Sequence, residues 1–136
     1  METKSLVLFA AVLLVVIFAT FYFRSTLARQ PSLDGRVLAQ LKRAGSDLSK
    51  PHAIEFFMYF PTQEAAARTG SKNELKPFSV KIERATKHSQ DFGWLLFATR
   101  SMVPVEAELV SIRRQFDSLS AIEGGKYDGW GTEVVK

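Results

Sequence analysis

Residues 52–60 read His-Ala-Ile-Glu-Phe-Phe-Met-Tyr-Phe, and Pro61 follows them. A run this rich in aromatic and branched side chains predicts a β-strand, and a residue that restricts its predecessor and lacks an N–H ends it. Side chains alternate across a strand, so Ile54, Phe56, Met58 and Phe60 share one face. Ala53, Glu55, Phe57 and Tyr59 share the other. The first set is the expected core face.

Upstream, Leu33, Val37, Leu38 and Leu41 form an apolar stripe at helical spacing. Ser32 is placed to cap that helix, Asp34 lies near its positive end, and Gly45 suits the position just past its last turn. Downstream, Thr62 is a second N-cap, Ala65–Ala67 fill a short helix, and Gly70 is expected to close it. Residues 71–77 read as polar loop. Phe78, Val80 and Ile82 alternate with Ser79, Lys81 and Glu83 as a half-buried strand. Trp94–Thr99 is continuously apolar and predicts a central strand. Pro104 fits the first turn of a third helix, whose core stripe is Leu109, Ile112, Phe116, Leu119 and Ile122, with Arg113 and Arg114 facing solvent. Gly124-Gly125 ends it, and residues 126–135 return as a last strand. The order after the leading helix is strand, helix, strand, strand, helix, strand. That is an α+β, ferredoxin-like βαββαβ sheet with two helices on one face.

The N-terminal region is different in kind. Residues 6–23 carry no charge, and a helix of that length spans roughly 27 Å, close to the thickness of a bilayer's hydrocarbon core. A cleaved signal peptide would have a shorter apolar region and small residues at its end; this one ends Phe21-Tyr22-Phe23-Arg24. The expected organisation is therefore a transmembrane anchor over 1–24, a tether over 25–31 and a folded domain over 32–136. Arg24, Arg29, Arg36, Lys42 and Arg43 outweigh Lys4 on the other flank, which predicts an inner-membrane protein with its domain in the cytoplasm.

The 136 residues carry 18 basic and 14 acidic side chains and a formal charge of +4. The charges are interspersed, so no electrostatic stripe for nucleic acid stands out. There is no cysteine, which excludes disulfides, thiolate nucleophiles and cysteine zinc sites. His52 and His88 have no partner at ligand spacing, the carboxylates are scattered singly, and no nucleophile elbow or phosphate-cradling loop is present. No cofactor and no catalytic residue is expected. Phe57 and Tyr59 would stand on the open sheet face, where related RNA-binding domains stack bases. The basic-Gly-aromatic-Gly pattern of those domains is missing from 94–102, so packing is the expected role and direct nucleic-acid contact is not. Gly129 and Gly131 are expected to make room around the Trp130 indole.

Four segments occur together: Gly45-Ser46-Asp47, His52-Ala53-Ile54-Glu55, Tyr59-Phe60-Pro61 and Lys126-Tyr127-Asp128-Gly129-Trp130-Gly131-Thr132. In these the chain resembles the ribonuclease E inhibitor family RraB, regulator of ribonuclease activity B, across nearly all of its non-membrane part. The resemblance implies a ferredoxin-like fold and a non-catalytic protein that binds ribonuclease E and restrains RNA cleavage. It points to Tyr127, Asp128, Trp130 and Thr132 as the partner surface or its scaffold, with Phe57 and Tyr59 as further candidates. Two alternatives stay open: a membrane-tethered module for an unrelated protein partner, and a direct RNA-binding domain.

Overall fold

The computed structural model describes residues 31–86 and 91–136. The apolar segment 6–23, most of the tether and His88 lie outside the described residues. Among the described residues no helix is long and apolar enough to cross a membrane. Residues Ser32–Lys136 form one compact unit.

Its elements are α1 (Leu33–Arg43), β1 (His52–Phe60), α2 (Gln63–Gly70), a 3₁₀ turn (Asn73–Leu75), β2 (Ser79–Arg84), β3 (Trp94–Met102), α3 (Glu106–Ile122) and β4 (Lys126–Gly131). The strands pair in the order β2-β3-β1-β4, antiparallel throughout. This is the split βαβ order: the strands that lead into α2 and α3 lie at the centre, and those that follow these two helices lie at the edges. Ile54, Phe56, Met58 and Phe60 are completely buried, as their alternation predicts. The helices cover that face of the sheet, and α1 lies against α3. An aromatic cluster locks the layers together. Phe56 of β1 meets Phe116 of α3 edge-on at 5.5 Å, and Phe78 completes the triangle at 5.7 Å and 5.2 Å.

The helix ends follow local chemistry. Ser32 Oγ accepts from the Gly35 N–H at 3.0 Å, and Thr62 Oγ1 accepts from the Ala65 N–H at 3.1 Å, so both expected caps form. Gly45 adopts φ +89° after α1. At the end of α3 the Gly125 N–H reaches the Ser120 carbonyl and the Gly124 N–H the Ala121 carbonyl, a Schellman pair, with Gly124 at φ +69°. Gly125 has another duty. A Cβ there would sit 2.5 Å from both the Tyr59 carbonyl and the Phe60 ring. Because one obstacle is backbone, Gly125→Ala is expected to destabilise by about 1–3 kcal/mol through overpacking, read as a lower denaturant midpoint at unchanged slope.

Gly70 is the last residue of α2, as expected, with Ser71 as its cap, and a Cβ on Gly70 would lie 3.1 Å from Val80. Several expectations need correcting. The segment 71–77 is not only polar loop: its 3₁₀ turn sinks Leu75 into the core. β3 runs three residues past Thr99 because β1 pairs with it as far as His52 opposite Met102. Pro104 precedes α3 and lies outside its first turn. Ile122, in the final turn where the chain swings out toward β4, is 66 % exposed. β4 stops at Gly131, and residues 132–135 follow without strand structure. Arg113 is drawn inward by Asp34 and is only partly exposed.

Candidate functional site

The segment 126–132 begins as edge strand β4 against β1. Phe56 faces Trp130 and Phe57 faces Gly129, but Met58 faces Tyr127, so the register shifts and Asp128 is the extra residue. Gly129 takes φ +117°, a conformation that side-chain-bearing residues avoid. Residues directly opposite in an antiparallel ladder share a face. Tyr127 and Trp130 therefore both point to the helix-covered side, and both are buried.

There they meet Asp34. Its carboxylate is fully buried and accepts three hydrogen bonds: Trp130 Nε1–H at 2.9 Å, Arg113 Nε–H at 2.9 Å and Arg113 Nη2–H at 2.9 Å. One carboxylate thus ties α1, α3 and β4. Burial pushes the Asp34 pKa up, but the Arg113 and Trp130 donors and the Arg113 charge outweigh it, so the group lies below the ordinary carboxylate value. The Arg113 pKa is raised by the same pairing. The Arg113 guanidinium also lies 5.3 Å from the Tyr127 ring centre. Burial drives the Tyr127 phenol far above its ordinary pKa, and its hydroxyl has no hydrogen-bond partner among the described residues. Tyr127→Phe should therefore be neutral or stabilising by up to about 1 kcal/mol, since it removes a buried polar atom that gains nothing. A thermal melt checks this; a loss of several kcal/mol would mean that the hydroxyl is engaged.

A second buried cluster involves residues for which the sequence offered no roles. His52 is completely buried at the start of β1; its Nδ1–H donates to the Lys50 carbonyl at 2.8 Å, and its Nε2 shares a hydrogen bond with the Ser46 hydroxyl at 2.7 Å. The Val135 N–H donates to Ser46 Oγ at 3.0 Å, and the Asp47 N–H to the Val135 carbonyl at 2.7 Å. A serine and a histidine at this distance could suggest nucleophilic chemistry. Here both are shut inside the protein, and they fasten residue 135 to the turn before β1.

The other sheet face carries Glu55, Phe57 and Tyr59 of β1, Phe97 and Thr99 of β3, and Lys81 and Glu83 of β2. Phe57 and Phe97 stand directly opposite, edge to face at 5.4 Å. Phe57 and Tyr59 are half-buried and Asp128 is exposed. Gly131 lies beside Phe57, whose ring would be 3.6 Å from a Cβ there. Gly131 thus leaves that side of the phenyl ring uncovered; Trp130 lies on the opposite face, and neither Gly129 nor Gly131 makes room for it. Thr132 Oγ–H donates to the Ala53 carbonyl at 2.8 Å, fixing the exit of β4. A groove of about 410 Å³ lies between α1 and β4, lined by Leu33, Val37, Phe57, Asp128, Gly129 and Trp130. Among the described residues no group of three or more His, Asp or Glu side chains could hold a metal ion.

The candidate residues thus divide. Tyr127, Trp130 and Thr132 are turned to the scaffold, whereas Phe57, Tyr59 and Asp128 line the open face and its β4 border. A βαββαβ domain with a leading helix clasped to its last strand is the class that the geometry defines. The family model described as regulator of ribonuclease activity B, RraB, matches residues 32–132, from the cap of α1 to the end of the C-terminal motif. The chain belongs to this family. No curated protein matches it.

Proposed function

We propose that this chain is a membrane-anchored, non-catalytic regulator that binds ribonuclease E, or a related RNA-degrading assembly, and restrains RNA cleavage. The observation that carries this reading is the family match over residues 32–132, which takes in α1 and the whole sheet. The anchor is the uncharged run 6–23, and the basic residues that follow it put the domain on the cytoplasmic side of the inner membrane. The contact surface is the open face around Phe57, Tyr59 and Asp128. Tyr127, Trp130 and Thr132 act beneath it, by holding β4 and α1 in place.

The test is a pull-down of purified ribonuclease E from the same source by the full chain in detergent, without RNA, followed by an RNA-cleavage assay. Saturable binding with slower cleavage is the expected result. Phe57→Ala should weaken binding at least tenfold while the melting curve shifts far less, since aromatic anchors dominate such surfaces and Phe57 is only half-buried. No binding by a folded chain would leave the family's fold without this partner.

One observation favours a second reading. The facing Phe57 and Phe97 rings on the two central strands are placed as a base-stacking platform would be. Glu55, Glu83 and Asp128 around them oppose a phosphate backbone, so this reading ranks below the first. Titration with single-stranded RNA decides it: contact with phosphates requires an affinity that falls steeply with added salt.

A further inference from the structure

The sheet has two edges, and they are built differently. The outer strand β4 is interrupted by the extra residue Asp128 and by Gly129 at φ +117°, features that spoil an edge for pairing with another strand. The other outer strand, β2, has none of these features. All six of its residues pair one to one with β3 without a register shift, and it contains neither glycine nor proline. Among the described residues nothing pairs with its outer side. Its guard is charge. The Lys81 side chain is 73 % exposed and forms a 2.8 Å ion pair with Glu83, two residues along on the same face.

A lone charged side chain protects an edge from most strands. An alternating Lys-x-Glu does so selectively, because it can meet its own copy. Antiparallel pairing about a two-fold axis places one residue opposite itself. With Ile82 at that point, Lys81 faces Glu83 of the copy, Glu83 faces Lys81, and the half-buried Ile82 side chains meet on the opposite, helix-covered face of the sheet. With Lys81, Glu83 or Arg84 at the axis, like charges face each other. With Ser79 or Val80 at the axis, Phe78 would have to join the outer ladder, but its N–H is already bonded to the Leu75 carbonyl at 2.9 Å. One register of six residues therefore satisfies both charges and the ladder, and register in a sheet is set by such matches.

We propose that the outer edge of β2 is a self-association surface, on which a second copy of this chain pairs antiparallel, centred on Ile82, to make a continuous eight-stranded sheet. The contact is isologous, so it closes as a dimer and leaves no edge open for growth except the interrupted β4. The intramolecular Lys81–Glu83 pair is exchanged for two intermolecular ones.

The chain contains no cysteine, so Ile82→Cys in the full chain introduces a single thiol. Facing residues of an antiparallel pair have Cα atoms about 4.5–5.5 Å apart, within disulfide reach. Mild oxidation in detergent should give at least tenfold more linked dimer for Ile82→Cys than for Asp128→Cys on the other edge. Adding Lys81→Glu should lower that yield tenfold, and adding Glu83→Lys as well should restore it. Equal yields at the two edges, or indifference to charge reversal, would overturn the proposal. Sedimentation of the otherwise unaltered chain provides a readout that does not depend on the thiol. Its coefficient should rise with concentration, and Lys81→Glu should abolish that rise; the same curve for both proteins would also overturn the proposal.

Discussion

Asp34→Ala is expected to cost the domain about 3 kcal/mol, the lower end of what removing one partner of a buried ion pair costs. The reason lies in what is left behind. Arg113 loses both hydrogen bonds while only partly open to water, and the Trp130 N–H loses its acceptor inside the core. For a domain of this size the melting midpoint should drop by roughly 12 °C or more. A change below about 1 kcal/mol would show that water replaces the carboxylate. The pH dependence has a definite sign. The folded pKa of Asp34 is depressed, so its contribution is complete above the unfolded value of about 3.9 and is lost as pH falls through the folded value. Wild-type stability should therefore decline below about pH 4. In Asp34→Asn that part of the decline should disappear, leaving a protein less stable at neutral pH and flatter in acid.

Phe116→Ala should cost more, about 3–5 kcal/mol. Phe116 is fully buried and touches three rings at once: Phe56, Phe78 and Tyr127. These come from β1, the segment before β2, and β4, so no single element can move in to fill the cavity. With total stability typically near 5–15 kcal/mol, this one substitution approaches the margin for folding at all. Equilibrium urea unfolding measures it. Phe116→Leu, which keeps most of the volume, should lose far less, and equal losses for the two would show that the ring edges rather than the filled space carry the energy.

How far the sequence could be read depended on whether a signal was local. Ser32, Thr62, Gly45 and the alternation of 52–60 act on their immediate neighbours, and these readings match the structure. The order of elements then fixed the sheet. Long-range decisions were hidden. Nothing local tells Asp34 that Arg113 and Trp130 will converge on it, so it reads as a helix-end charge and Arg113 as a solvent residue. Leu75 looks like one apolar residue in a polar loop until α2 and β2 place it over the core. Ser46 and His52 have no motif between them, because they meet through a turn and are closed over by residue 135. The candidate site was legible as a motif but not as a surface. Its residue types were visible, whereas their division between scaffold and open face depends on the β4 register.

That register turns on parity. Tyr127 and Trp130 are three apart, an odd step, and in an unbroken strand an odd step sends two side chains to opposite sides. The additional residue at 128 makes the step even in space while it stays odd in sequence. Both large rings can then serve one interior, and the positions opposite Phe57 and Glu55 on the other side are held by residues without side chains, Gly129 and Gly131. The segment from Tyr127 to Gly131 is thus a counting device: its spelling is constrained as much by how many residues it contains as by which ones they are.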